Sequence, residues 1–210
     1  MSKKIFWVVG LVVVCIVGII VLTNVSEKSV VIDYDGQPFL GEESAPVDIV
    51  EFGDYKCPSC KDFNDNLFPI IYEELVETGK AKFYFMNYSF IAPDSTTAAQ
   101  FAETVYQELG NEKFWDFHNL LFANQTTVSN FTDEFFEAIV AEVASPEETE
   151  KVLLAYQNGE GEAALDKDMK IANSLGVSST PTILIDGKEF KGRTINDFTE
   201  MVEEAAASGK

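Results

Sequence analysis

Cysteine is scarce in this chain, with three in 210 residues, and Cys15 falls in an apolar N-terminal run. A disulfide-stapled miniprotein is therefore excluded, and the remainder holds one possible pair, Cys57 and Cys60. Histidine occurs once, as His118, so a four-ligand zinc site would have to be completed by carboxylates. Positive charge is also sparse. The 15 basic residues less Lys3 and Lys4 leave 13 against 35 acidic ones, a net charge near −22 beyond that point. Such a surface repels nucleic acid and anionic headgroups, and reads first as solubility outside the cell. The acidity invites bound calcium, but no EF-hand pattern supports it. Asp33-Tyr34-Asp35-Gly36 reads as a hairpin turn rather than an ion loop. No internal repeat is present.

What is abundant is apolar. Hydrophobic residues make up 46 % of the chain and Phe alone numbers 17, a globular composition. Residues 5–22 are 18 apolar residues without a charge, about 27 Å of helix, enough to cross a bilayer core. Lys3 and Lys4 precede them, which puts the N-terminus in the cytoplasm and the rest outside. A cleaved signal peptide is the competing reading. Thr23-Asn24-Val25 is a poor cleavage site, which favours an anchor, and Val14 before Cys15 speaks against a lipoprotein signal. Either way the body is exported to a compartment that permits disulfides.

Beyond a short linker at 26–29, segments 30–34 and 37–40 flank Asp35-Gly36 and suggest a hairpin. A strand follows at 47–52. A helix begins at Cys57 with Phe63, Leu67 and Ile70 on one side, and Pro69 should kink or divide it near Phe68. Gly79 closes it, and 82–88 form a second strand. Residues 93–175 have helical periodicity: Ala98, Phe101, Ala102, Val105 and Leu109 mark one stripe, stopped by Gly110, and Phe114, Phe117, His118 and Leu121 the next. Thr132 is an N-cap with Phe131 and Phe136 as a staple, and Ser145-Pro146-Glu147-Glu148 is a capping box. Strands at 182–185 and 188–190 flank Asp186-Gly187, and Thr194 caps a last helix. The order strand, helix, strand, helical block, hairpin, helix reads as one α/β domain with a helical insertion.

Cys57-Pro58-Ser59-Cys60 lies where the first long strand gives way to its helix. A free thiol, with pKa about 8.5, is only about 3 % ionised at pH 7. At a helix N-terminus the unpaired amides and the dipole favour a negative, exposed sulfur at Cys57, and Pro58 suits the first helical position. Cys60, one turn further in, should be buried and resolve mixed disulfides. Alone, a C-x-x-C pair can also be a zinc half-site or a structural disulfide. Glu51, six residues earlier in an apolar strand, should be partly buried and able to exchange a proton with Cys60; otherwise it is a strand-end acid reaching water. Lys82 on the next strand is its candidate partner. If Pro181 is cis and faces Cys57, the Thr180 backbone can hold an extended peptide by strand addition. His118 reads as a packing residue within its aromatic helix face.

These segments carry a resemblance. Ala45-Pro46-Val47 through Glu51-Phe52-Gly53-Asp54-Tyr55-Lys56-Cys57-Pro58-Ser59-Cys60 resembles the start of DsbA-type thiol-disulfide oxidoreductases. Phe114-Trp115-Asp116-Phe117-His118-Asn119-Leu120-Leu121-Phe122 resembles a helix of their insertion. Gly176-Val177-Ser178-Ser179-Thr180-Pro181-Thr182, with Ile185-Asp186-Gly187-Lys188, resembles their cis-proline loop and hairpin. With the anchor, the likeness extends to membrane-anchored BdbD-type proteins of Gram-positive bacteria. It implies an α/β thioredoxin fold with an inserted helical domain behind a single transmembrane helix. The divisions are 1–25 as cytoplasmic stub and anchor, 26–92 and 176–210 as the two parts of the thioredoxin-like domain, and 93–175 as the insertion. It further implies a redox-active Cys57–Cys60 disulfide in place of a cofactor, Cys57 attacking, Cys60 resolving, Glu51 as buried acid, and a cis Pro181 with Thr180 at the substrate. Reduced exported proteins are the implied substrates, and a quinone-linked membrane protein the implied reoxidant. Ser59 and Ser179 depart from the commonest family residues, His and Gly. A reductase or isomerase on the same scaffold, or a tethered peptide-binding module with a structural disulfide, are the alternatives.

Overall fold

The computed structural model describes residues 31–126 and 130–209. The expected N-terminal anchor lies outside them. Among the described residues no helix is long and apolar enough to cross a membrane.

Five strands form one sheet in the order β1-β3-β2-β4-β5: β1 Phe39–Leu40, β2 Val47–Gly53, β3 Ala81–Asn87, β4 Thr182–Ile185 and β5 Lys188–Glu189. The central pair β2 and β3 is parallel, and every other pairing is antiparallel. A parallel pair must be covered on both faces, which is why β2 reads as a nearly unbroken apolar run. Val47 and Ile49 enter a large core with Phe83, Phe85, Ile183 and the helical block. Val50 and Phe52 enter a second core with Tyr84, Met86, Leu184 and Ala172.

The first helical stretch is divided as Pro69 requires. It runs as α1 Pro58–Asp62, a π-helical turn at Phe63–Leu67, α2 Phe68–Ile71 and a second π-helical turn at Tyr72–Val76. Each π turn adds a residue to the repeat. The buried positions become Phe63, Phe68 and Ile71, while Ile70 is left exposed. The expected stripe of Phe63, Leu67 and Ile70 is corrected for that reason. The expected hairpin around Asp35-Gly36 is also corrected: the turn is present, closed by Gln37 N–H donating to Tyr34 O at 3.1 Å, but β1 pairs with β3 instead of with residues 31–34.

Between β3 and β4 lie α3 Ser95–Ala123, α4 Asp133–Val143, α5 Pro146–Gln157 and α6 Glu162–Ser174. Gly110, at φ 80° and ψ −176°, breaks α3 into two helical halves. Thr132 and Ser145 cap α4 and α5 as their sequences require, the latter with a complete capping box. The β4–β5 hairpin turns through Asp186 and Gly187, both at positive φ, and α7 Ile195–Ser208 starts at a Thr194 capping box.

Candidate active site

The C-terminal ends of β2 and β3 and the start of β4 converge on one spot. β2 ends at Gly53, and Asp54, Tyr55 and Lys56 lead to Cys57, which is the extended N-cap of α1 with Pro58 behind it. Asp54 organises this turn. Its carboxylate accepts the Lys56 amide at 2.8 Å and the Phe90 and Ile91 amides at 2.8 and 2.9 Å, while its carbonyl accepts the Cys57 amide at 2.9 Å. The loop after β3 is thereby fixed to the cysteine loop, with the side chains of Phe90 and Ile91 left exposed at its rim. Nothing in the sequence singled out Asp54 as more than part of the motif.

The Thr180–Pro181 peptide bond is cis, and the Cys57 thiol donates to the Thr180 carbonyl at 3.3 Å. Segments 123 residues apart are thus in direct contact. Both cysteines are free thiols here. The expected exposed sulfur is corrected: Cys57 is only 4 % exposed, its thiol being engaged by the cis-proline loop. Cys60 is fully buried, and burial, followed by the nearby Glu51 charge, pushes its thiol well above the usual range.

Glu51 is 2 % exposed, so the reading in which it reaches water does not hold. Burial first, and then the charge of Cys57, push its carboxyl up to about 8, opposed by a hydrogen bond with Cys60. Oε1 of Glu51 has no hydrogen-bond partner. Gly53 leaves it room: a Cβ at that position would lie 3.2 Å from this oxygen and collide with the Phe85 ring. Lys82 does not pair with Glu51. It stands opposite Asp48 in the β2–β3 register and bridges it at 3.1 Å, three residues too early along the strand.

Beneath the loop, Tyr55 is buried against Phe85 and Phe122, with its hydroxyl 3.0 Å from Nδ1 of His118. Burial lowers His118 to about 3, so the imidazole is neutral and structural, as its aromatic surroundings suggest. The insertion also reaches the loop through Gln125, whose Nε2 donates to the Tyr55 carbonyl at 2.8 Å and the Cys57 carbonyl at 3.0 Å.

A second polar cluster lies at the end of β3. Asp168 Oδ1 accepts from Gln37 Nε2 at 2.6 Å, and Oδ2 from the Asn87 amide at 2.7 Å. Glu103 Oε1 accepts from Asn87 Nδ2 at 2.7 Å. All four side chains are buried, and Gln37 Oε1 and Asn87 Oδ1 have no partner. Burial raises both carboxyls, which share a hydrogen bond, so one is held protonated. Among the described residues no three His, Cys, Asp or Glu side chains converge as metal ligands. The sequence signal was an acid in an apolar stripe: Asp168 sits between Leu165 and Ala172 on the buried face of α6.

Comparisons with known proteins agree with this geometry. A thioredoxin family model matches residues 33–204. Disulfide bond formation protein D of Bacillus subtilis is 35 % identical over 171 residues, covering 80 % of this chain and 75 % of the relative. The crystal structure of oxidised BdbD from Bacillus subtilis superposes with a TM-score of 0.77 at 32 % identity, over 83 % of this chain and 95 % of that one. The thiol-disulfide exchange protein α-DsbA2 of Wolbachia pipientis gives 0.67 at 26 % identity, over 80 % and 86 %.

Proposed function

The chain belongs to the thioredoxin family and is a thiol-disulfide oxidoreductase of the disulfide bond formation protein D type, and from that premise we propose that it oxidises exported proteins through a Cys57–Cys60 disulfide. The observation that carries the reading is the contact of Cys57 with the carbonyl that precedes a cis proline, above a buried acid hydrogen-bonded to Cys60. A substrate thiolate attacks Cys57 Sγ. The Cys57–Cys60 bond breaks, a mixed disulfide forms, and Cys60 leaves as a thiolate that takes the Glu51 proton. A second substrate thiolate then attacks the substrate sulfur of the mixed disulfide and expels Cys57. Two electrons pass from substrate to enzyme, and the substrate gains a disulfide.

The Thr180 carbonyl is the acceptor for an extended substrate strand in this scheme, which replaces the contact it makes with the resting thiol. Phe90 and Ile91 supply apolar surface beside it for unfolded chains. Residues 5–22 tether the catalytic domain to the outer face of the membrane. A quinone-linked membrane protein restores the disulfide there.

The full chain, purified in detergent with its cysteines oxidised, should introduce disulfides into a reduced, unfolded protein, followed by loss of substrate thiols. Cys57→Ser should abolish the reaction, and an unchanged rate in that variant would end the proposal. Cys60→Ser should trap mixed disulfides through Cys57.

A further inference from the structure

The only side chain of the helical insertion that hydrogen-bonds the Cys57 backbone among the described residues is Gln125. It follows directly on the C-terminal turn of α3, with its own amide bonded to Phe122 O at 3.1 Å. Its place is doubly secured. Phe122 packs on Tyr55 with ring centroids 5.0 Å apart. Lys61, one residue past Cys60, donates from Nζ to the Phe122 carbonyl at 2.9 Å. The Gln125 side chain is 6 % exposed, and its two N–H groups divide between the carbonyls of Tyr55 and Cys57.

Those carbonyls flank Lys56, so one amide fixes the peptide planes that lead into the reactive sulfur. The Cys57 carbonyl is the α1 N-cap oxygen and also accepts the Lys61 amide at 3.2 Å. Cys57 itself sits at ψ 118° with no side-chain capping bond. Its orientation, and hence whether the first-turn amides of α1 face the sulfur, is set from the carbonyl side. A thiolate gains from those amides, whereas a disulfide sulfur, uncharged, gains little.

We propose that Gln125 is a positioning residue through which the helical insertion sets the oxidising strength of the Cys57–Cys60 pair, by holding the Cys57 carbonyl so that the helix amides favour the reduced form. This rests on the reading of Cys57 as the attacking thiol. Removing the clamp costs stability in both redox states, because two buried carbonyls lose a donor. The part specific to the proposal is the difference between the states. The groups that titrate or carry charge around Cys57 are Glu51 on β2, Cys60 and Lys61 on α1, and Asp54 and Lys56 in the loop, and no test variant alters them.

The test is the equilibrium of the full chain with glutathione in detergent, for wild type, Gln125→Ala and Gln125→Asn. Asparagine keeps the amide but is one methylene too short to span both carbonyls, and it decides the matter if alanine fails to fold. Both variants should be weaker oxidants, with the equilibrium shifted toward the disulfide roughly three- to ten-fold. The melting temperature of the reduced form should fall more than that of the oxidised form. An unchanged glutathione equilibrium, with both melting temperatures lowered equally, would reduce Gln125 to a structural residue and overturn the proposal. Cys57→Ser, assayed in parallel, separates the cases: an active Cys57→Ser enzyme removes the underlying reading, whereas an inactive one beside unshifted Gln125 variants removes only this inference.

Discussion

Glu51 carries opposite consequences for stability and turnover. Its carboxyl moves from an ordinary 4.5 in the unfolded chain to about 8 in the fold, because burial penalises the charge. A group raised in this way supports folding fully below about pH 4.5 and loses that support as pH climbs through 8. Glu51→Gln removes the loss. Urea unfolding of the reduced protein should find the variant close to wild type at pH 5 and more stable by about 1–3 kcal/mol at pH 9. The same variant cannot give Cys60 a proton, and substrate oxidation should slow roughly ten-fold or more. An equal stability gap at both pH values would show that no buried ionisation is involved. Glu51, Cys57, Cys60 and Pro181 were visible in the sequence because a charge in an apolar strand, a C-x-x-C pair and a Thr-Pro step each break a local pattern. Gln125 was not, since a glutamine after a helix end breaks none, and its role exists only once two distant carbonyls arrive beside it.

Elements that follow a regular period were legible, and those that do not were misjudged. The stripe through Phe101 and Val105 and its stop at Gly110 follow from spacing and from glycine's freedom. The segment after Cys60 defeated the same reasoning, because two π-helical turns shift the buried face around Pro69. The partner of β1 escaped because Tyr84 of β3, opposite Phe39, lies 45 residues further along the chain rather than across a turn. Gly110 offers a clean test of backbone strain. Its dihedrals lie in a region that only glycine occupies readily, and a Cβ there would meet nothing within 4 Å. Gly110→Ala should therefore cost about 1–3 kcal/mol without any clash. Denaturant unfolding should show a lower midpoint with an unchanged slope. A neutral result would mean that the two halves of α3 can straighten into one helix, and that the break is not enforced by the fold.

At the scale of the whole molecule, two sources of negative charge oppose folding as pH rises, and they can be separated. One is diffuse, the net charge of −20 spread over the surface. The other is local, Glu103 and Asp168 buried together at the end of β3. Burial raises Asp168 from 3.8 to about 6 and lifts Glu103 well above its ordinary 4.5. Their contribution is complete below about pH 4 and declines as pH passes 6 and beyond. With chelator present, the melting temperature should fall between pH 5 and pH 8. Salt near 0.5 M weakens the surface repulsion but hardly reaches a buried pair, so the fall should persist in salt and flatten in Glu103→Gln. A fall that salt abolishes and Glu103→Gln leaves intact would assign the pH dependence to the surface. The buried carboxyls would then stay protonated throughout, held neutral by the same desolvation that raises Glu51 on the neighbouring strand.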